Sequence, residues 1–515
     1  MTTRVDHARI EREVARYYRY ATFSHKWEDN EPLFEKVIHI VVYELEESLT
    51  HDKLQTFCKI VRKAGYHWAW SDTCCINKAD HFVLQEALVS MFKWYEGSAV
   101  TIVLLRGVRS PSKRGDLVKS IWNTRAWTFQ EYHASKVVRF YTEDWKPYMN
   151  LDIHNHKESP EIISEMEEAT GVSARALMAL RPGLDDIGEK LRLASTRQTT
   201  RAEDAAYSLL GIFSMSLPVV YGEGDKALGR LLAQLLASSG ETSILAWTGK
   251  SGSFNSCFPA KISVFTQLPT THIPPAHEGD KTTRSRTFSL NPTSIMRLSD
   301  RLHELPIPSF SGVRMKLPCI TFKLGPLSAS RNSSGHVFRA QATALGTVEI
   351  KTEEDLSRFG SLYLIHPWID FLLDRQPVGS IAETIPQNDN SSVISELPMF
   401  IGPSGITSEA SQTRAARFIS RFGRPFGGRS AASPRDAASL LPPSSASPTE
   451  KQIRAFQVLA RLRQPFGALL LAAHPGNVAA YRRVAADSLI TVRVEEITQT
   501  LLSKLVDNVC TMDVL

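Results

Sequence analysis

The first 150 residues predict an α/β fold, a parallel sheet wound with helices. Three observations carry that expectation. Short β-type runs alternate with helical stripes until four strands and three crossovers are placed, as repeated strand–helix–strand units require. Ala99–Leu105 (A-V-T-I-V-L-L) is a continuous apolar run, the mark of a strand covered on both faces. The runs end in polar clusters, and open α/β sheets place their sites outside the carboxyl ends of their strands.

Tyr20–Ser24 is the first strand and leads into His25-Lys26-Trp27-Glu28-Asp29. Pro32 then opens a predicted helix through Glu47, with Phe34, Val37 and Val41/Val42 on its apolar stripe. A second helix, about Lys53–Ala64, stops at Gly65. His67–Ser71 is the second strand, followed by the polar turn Asp72-Thr73-Cys74-Cys75-Ile76-Asn77. Leu84, Leu88, Met91, Phe92 and Tyr95 recur at the helical period. After Ala99–Leu105, a basic loop from Arg106 to Lys119 leads into Trp122–Tyr132 (W-N-T-R-A-W-T-F-Q-E-Y), read as a helix; Val137–Tyr141 is the fourth strand.

Trp122–Tyr132 is where chemistry is expected. In a helix, Trp127 and Glu131 lie one turn apart on one face, which sets an indole behind a carboxylate. An aromatic wall raises a carboxyl pKa by disfavouring the charged form, and it offers a surface to a ribose or nicotinamide ring. The alternative is a plain amphipathic helix with core tryptophans and a solvated glutamate.

The predicted organisation is an α/β core over 1–150, a helical extension over 151–242 and a β-rich region over 243–386. A low-complexity linker over 387–450 is expected to be disordered, and 451–515 returns to the β-rich region. In the extension, Thr200-x-x-Glu203 reads as a capping box ahead of Ala206, Leu209, Leu210 and Phe213. Leu228, Leu231, Leu232, Leu235 and Leu236 form a second stripe, expected in the core. Strand candidates follow at Ile244–Thr248, Thr287–Leu290, Cys319–Lys323, Val337–Arg339, Ser361–Ile365, Phe466–Ala473 and Ile490–Val494. Gln387–Glu450 has too little apolar content to build a core.

At 515 residues, 43% hydrophobic and 22% charged, the chain belongs to the ordinary globular class and can bury large cores. Ser411–Arg435 holds six arginines and no acidic residue, which accounts for the whole formal net charge of +6. A nucleic-acid-reading surface is therefore not expected. The six cysteines (Cys58, Cys74, Cys75, Cys257, Cys319, Cys510) form no CxxC pair, so free thiols and a cytoplasmic location are expected. The N-terminus lacks the apolar region of a signal peptide, and no run approaches the roughly 18 apolar residues of a membrane span.

Rival constellations are weaker. Cys74-Cys75 beside Asp72, with His25 or His67 as base, would make a cysteine hydrolase, but vicinal cysteines after a strand are more often packed turn residues. His154-Asn-His156 lacks a second ligand cluster, so it is read as a solvated loop and no metal is expected. Gly222-Glu-Gly-Asp-Lys226 is not followed by the Gly-Lys-Ser/Thr of a P-loop.

Three segments together resemble the HET (heterokaryon incompatibility) domain of filamentous fungi: Tyr20-Ala-Thr-Phe-Ser-His-Lys-Trp27; Trp70-Ser-Asp-Thr-Cys-Cys-Ile-Asn77 with Met91-Phe-Lys-Trp-Tyr95; and Arg125-Ala-Trp-Thr-Phe-Gln-Glu131. Thr199-Thr-Arg-Ala-Glu-Asp-Ala-Ala-Tyr-Ser-Leu-Leu-Gly211 and Tyr221-Gly-Glu-Gly224 are similar to the helical extension of that family, so the resemblance covers about residues 1 to 250. It implies non-self recognition on hyphal fusion and programmed death of the fused cell.

The HET domain in turn resembles, distantly, the TIR domains of innate immunity, a flavodoxin-like fold, several members of which cleave NAD. Phe23-Ser-His-Lys-Trp-Glu-Asp29 is similar to the TIR first-strand box, and Trp127-x-x-x-Glu131 to the segment supplying the TIR catalytic glutamate. The sequence departs from TIR at Thr128, where a small residue is usual, and by an extra helix's worth of residues between the first two strands. The resemblance implies Glu131 as the catalytic carboxylate. Ser24, His25, Trp27, Arg125 and Trp127 would hold the nucleotide, with Lys26 beside Arg125 on the pyrophosphate. NAD would be substrate, with no resident cofactor and no metal. Protein partners or self-association are expected in either case, and the other reading is a non-enzymatic signalling or scaffold module that kills by assembly alone.

Overall fold

Parallel strands need a crossover between them, and here helices supply it, returning the chain to the same sheet edge each time. The computed structural model describes residues 7–267, 290–332, 335–369, 450–474, 477–494 and 497–515. The N-terminal elements are α1 (His7–Tyr17), β1 (Tyr20–Ser24), α2 (Phe34–Val37), α3 (Leu49–Lys63), β2 (Trp68–Ser71), α4 (His81–Gly97), β3 (Val100–Leu105), α5 (Ile121–Thr124), α6 (Trp127–Ala134) and β4 (Val138–Thr142). The four strands form one parallel sheet in the order β2-β1-β3-β4. All six residues of β3 are buried, as its unbroken apolar run requires. Strand order reverses between β1 and β3, and a crevice outside the carboxyl ends of those two strands is where such sheets bind ligands.

The helix expected from Pro32 to Glu47 does not form. Only α2 and a single 3₁₀ turn, Val42–Glu44, are helical there. The run Ile38-His-Ile-Val-Val-Tyr43 is mostly β-branched, which lowers helix propensity, and Val42 alone of its apolar side chains is buried in the core. Leu33, Ile38, Ile40, Val41 and Tyr43 are exposed.

The extension comprises α7 (Pro160–Thr170), α8 (Ala174–Ala179), α9 (Ile187–Ser195), α10 (Asp204–Tyr207) and α11 (Lys226–Ser239). The five leucines of the α11 stripe are fully buried. Gly211 lies against α4, where an added Cβ would collide with the Phe92 side chain, so the close approach needs glycine. The expected capping box is absent. Glu203 occupies the N-cap of α10 but accepts hydrogen bonds from the Gly222 and Gly224 N–H groups instead, at 2.7 and 3.0 Å. Ile244–Thr248 is not a strand either: a 3₁₀ turn, Thr242–Leu245, carries Ile244 and Leu245 into the core.

The C-terminal elements are α12 (Pro292–His303), β5 (Ser309–Ser311), β6 (Arg314–Lys323), β7 (Ser328–Asn332), β8 (Gly335–Ala342), β9 (Gly346–Thr352), β10 (Leu362–Pro367), α13 (Glu450–Leu462), β11 (Phe466–His474), β12 (Asn477–Arg483), β13 (Ile490–Val492), α14 (Gln499–Asp507) and β14 (Val509–Val514). Strands β6, β10, β11, β12 and β14 pair in that order and close back from β14 onto β6; β7, β8 and β9 form a separate meander. Strands from either side of residues 370–449 thus share one ring, through the antiparallel pairing of β10 with β11.

Alternation along β11 divides two cores: Leu469 and Leu471 join the core of the N-terminal sheet and extension, while Ala468, Leu470 and Ala472 face the second core with α12, α13 and α14. The expected linker lies outside the described residues except for Glu450, the expected strand Thr287–Leu290 except for Leu290, and the arginine-rich Ser411–Arg435 entirely. Among the described residues, no helix is long and apolar enough to cross a membrane.

Candidate functional site

The strand β1 ends at Ser24, beside the switch in strand order. The Ser24 hydroxyl accepts the indole N–H of Trp122 in α5 at 2.7 Å and donates to Glu131 Oε2 in α6 at 2.5 Å. Glu131 is only 3% exposed. A polar ladder beneath fixes the helix that carries it: Thr22 bonds Thr101 at 2.7 Å, Thr101 bonds Ser135 at 2.5 Å, and Ser135 donates to the Glu131 carbonyl at 2.6 Å.

Burial raises the Glu131 pKa to about 8, with the nearby Asp72 charge adding to the effect. The Ser24 hydrogen bond and the cations Arg125 and Arg197 oppose it. The carboxyl is therefore mostly protonated at neutral pH. Tyr95, whose hydroxyl donates to the Phe23 carbonyl at 2.9 Å, is pushed well above the usual phenol range by burial and by the nearby Glu131 charge.

A second network lies along the loop after β1. Burial and the Lys53 charge lower the pKa of His25, which is neutral at neutral pH although Glu31 pulls the other way. Neutral His25 can bond the Glu31 carboxylate, 3.0 Å from Nε2, only by carrying its proton there. Its Nδ1 lone pair is then buried without a hydrogen-bond partner. Burial works to raise the Glu31 pKa, but the hydrogen bonds and charges of His25 and Lys53 bring it down to about 2. With His25 neutral, the cation that holds Glu31 ionised is Lys53, which also reaches Glu28 at 3.3 Å and the Lys26 carbonyl at 3.2 Å.

The six residues singled out from the sequence do not all converge. Ser24 and Glu131 touch. Arg125 bonds the His25 carbonyl, which fixes the backbone beyond β1. The His25 ring turns to Glu31. Trp27 is 42% exposed, its indole N–H donating to Asp72 Oδ2 at 2.8 Å while the Lys78 ammonium sits 3.6 Å over its ring. Trp127 departs furthest from expectation. Its indole bonds Asp204, which also accepts from Tyr221 at 3.0 Å, so it joins α6 to the helical extension. Trp122 is the indole that reaches the carboxyl's network.

Sequence reasoning missed Trp122, Tyr95, Arg197 and the Glu31–Lys53 pair. Trp122 and Tyr95 stand inside the quoted motifs, where only the wrong tryptophan was chosen. Arg197 has no local pattern to find it by.

The rival constellations lose their chemistry. Cys74 bonds Cys75, which together with burial raises its pKa well above the usual thiol range, and Cys75 accepts from the Ser71 N–H at 3.4 Å. His156 is not solvated: it is buried, with Nδ1 accepting from the Phe140 N–H at 3.0 Å and Nε2 bonded to the Leu151 carbonyl at 2.8 Å. The amides of Gly222 and Gly224, which a phosphate would need, are taken by Glu203. No group of three or more ligating side chains suited to a metal occurs among the described residues.

The family described as heterokaryon incompatibility protein (HET) matches residues 20–114, from β1 past β3. Over residues 20–114 the chain is similar to the HET family. The vegetative incompatibility protein HET-E-1 of Podospora anserina is 33% identical over 223 residues, which are 41% of this chain and 16% of that protein. The chain thus matches less than a fifth of the relative's length. No solved structure matches. The HET match includes Ser24, His25 and Trp27, whereas Trp122, Arg125, Trp127 and Glu131 lie beyond its last residue.

Proposed function

We propose that this protein acts in heterokaryon incompatibility, as a non-self recognition effector that kills the fused cell by cleaving NAD in a TIR-like site centred on Glu131. The HET match and the likeness to an incompatibility protein support the biological role. The strand order β2-β1-β3-β4, the first four of the flavodoxin-like order, supports the TIR-like reading. The observation that carries the chemistry is the Ser24–Glu131 contact, a desolvated carboxyl at the carboxyl edge of a parallel sheet beside its switch in strand order.

The reaction asks little of the protein. Water attacks the anomeric carbon of the nicotinamide riboside unit, the C–N bond breaks with its electron pair going to the pyridinium nitrogen, and neutral nicotinamide leaves. An oxocarbenium-like centre develops between the two, and a carboxylate beside it stabilises that charge and receives the water proton. Glu131 must lose its own proton first, and the cationic pyridinium of the substrate favours that loss. Arg125, at the mouth of the β1 loop, suits the pyrophosphate.

A contact-signalling reading has its own observation. Leu33, Ile38, Ile40, Val41 and Tyr43 expose an apolar stretch between β1 and α3, as a docking surface would. Expressing the full chain in a heterologous host separates the two. Wild type is expected to deplete cellular NAD before viability falls, and Glu131→Gln to do neither. Death with NAD unchanged, in both forms, would refute cleavage and favour contact.

A further inference from the structure

The helical extension reaches the α6 corner by a single strand-like contact. Gln198 N–H donates to the Thr124 carbonyl at 2.6 Å and the Gln198 carbonyl accepts from the Ala126 N–H at 3.0 Å, a parallel bridge beside Arg125. The preceding residue, Arg197, is buried. Its Nη1 donates to the Arg125 carbonyl at 3.1 Å and to Thr128 Oγ1 at 3.0 Å, and the guanidinium lies 5.1 Å from the centre of the Phe129 ring. No carboxylate is within ion-pairing distance of it among the described residues. A buried guanidinium held only by neutral acceptors loses much of its hydration, which favours any arrangement that puts a negative charge within reach.

Thr128 completes the corner. Its hydroxyl is fully buried, 2.8 Å from the carbonyls of both Trp122 and Arg125, and it is the acceptor for Arg197. Alanine or glycine there would leave Arg197 without that acceptor. Glu131 stands one turn further along α6, on the helix that Arg197 holds at its first turn. Five elements face its carboxyl: Ser24 from β1, Asp72 from the loop after β2, Tyr95 from α4, Arg125 from the α5–α6 corner and Arg197 from the extension.

We propose that Arg197 is a positioning residue through which the helical extension becomes part of the Glu131 site, fixing the first turn of α6 and supplying a buried cation that favours the carboxylate over the neutral acid. The proposal rests on the reading of Glu131 as the site's carboxyl, but its test does not depend on turnover. Loosening the extension would withdraw the cation and make Glu131, already a neutral acid at neutral pH, harder still to ionise.

The test follows the protonation of Glu131 directly in the full-length protein. The carboxylic C=O band is isolated as the infrared difference between wild type and Glu131→Gln and is followed with pH. Arg197→Gln, which keeps hydrogen-bonding capacity and removes the charge, is expected to raise the titration midpoint by about one pH unit or more, and Arg197→Lys to restore it towards wild type. Thr128→Val, which leaves Arg197 in place without its acceptor, should shift the midpoint the same way by less, and it serves if Arg197→Gln does not fold. A midpoint unchanged in the Gln and Val variants would overturn the proposal. If wild type cleaves no NAD while these shifts are seen, the enzymatic reading fails and the positioning role stands.

Discussion

Ser24, the last residue of β1, and Glu131, in the second turn of α6, lie 107 positions apart and share a 2.5 Å hydrogen bond that neither side chain opens to solvent. The Trp122 indole can only donate, so Ser24 accepts it through a lone pair and keeps its hydrogen for Glu131. Folding has thus placed an acid at the sheet edge in a form that is neutral at rest, with cations close enough to favour its ionisation once water or a cationic ligand arrives.

That placement sets a pH dependence. Glu131 has a folded pKa of about 8 against an ordinary value of 4.5, so between these values the folded state holds more protons than the unfolded chain. Stability then falls as pH rises through that window, by up to roughly 1.4 kcal/mol per unit from this group. Glu131→Gln removes the titration, so the mutant should gain on wild type between pH 5 and pH 8 in urea unfolding. Parallel curves would show that Glu131 is not desolvated.

Glu31 has the opposite sign. Its folded pKa of about 2 contributes stability that is present above its ordinary value of 4.5 and is lost as pH falls towards 2. The stabilising cation is Lys53, whose side chain is almost wholly buried. Lys53→Met leaves the Glu31 carboxylate buried without its charge partner and should cost about 3 kcal/mol at pH 7 by chemical denaturation. At pH 2, where Glu31 is half protonated, the difference should shrink.

The two tryptophans of the α5–α6 stretch should separate by readout. Trp122→Phe removes the donor to Ser24 and leaves a small void, costing about 1–3 kcal/mol and lowering NAD turnover. Trp127→Phe loses only its bond to Asp204, so about 1 kcal/mol of stability should go while turnover per folded molecule holds. Melting curves beside nicotinamide release check both, and equal loss of turnover would return Trp127 to the site.

Much of this was legible in the sequence, for reasons that differ by element. Strands β1 to β4 carried their own period and their polar ends, so the α/β sheet and the place of Ser24 could be read locally. The failures have a common form. Glu203 looked like a cap because Thr200-x-x-Glu203 fits the local pattern, yet two glycine amides some twenty residues on compete for the same oxygen and win. Trp127 looked like the wall behind Glu131 because both share a helix face, but Asp204 draws the indole away. Arg197 and Lys53 act on carboxyls distant in sequence, and no periodicity reports such pairs. Pro32–Glu47 had the stripe of a helix, but its middle is β-branched and Ile38, Ile40 and Val41 stay exposed while Val42 and Leu45 reach the core.

The most direct measurement is nicotinamide release from NAD by the purified full-length protein, wild type beside Glu131→Gln, with melts showing that both are folded. The expected result is turnover by wild type and its loss in the mutant at undiminished stability. Turnover that survives Glu131→Gln, or none from folded, concentrated wild type at any pH from 5 to 9, would contradict the account.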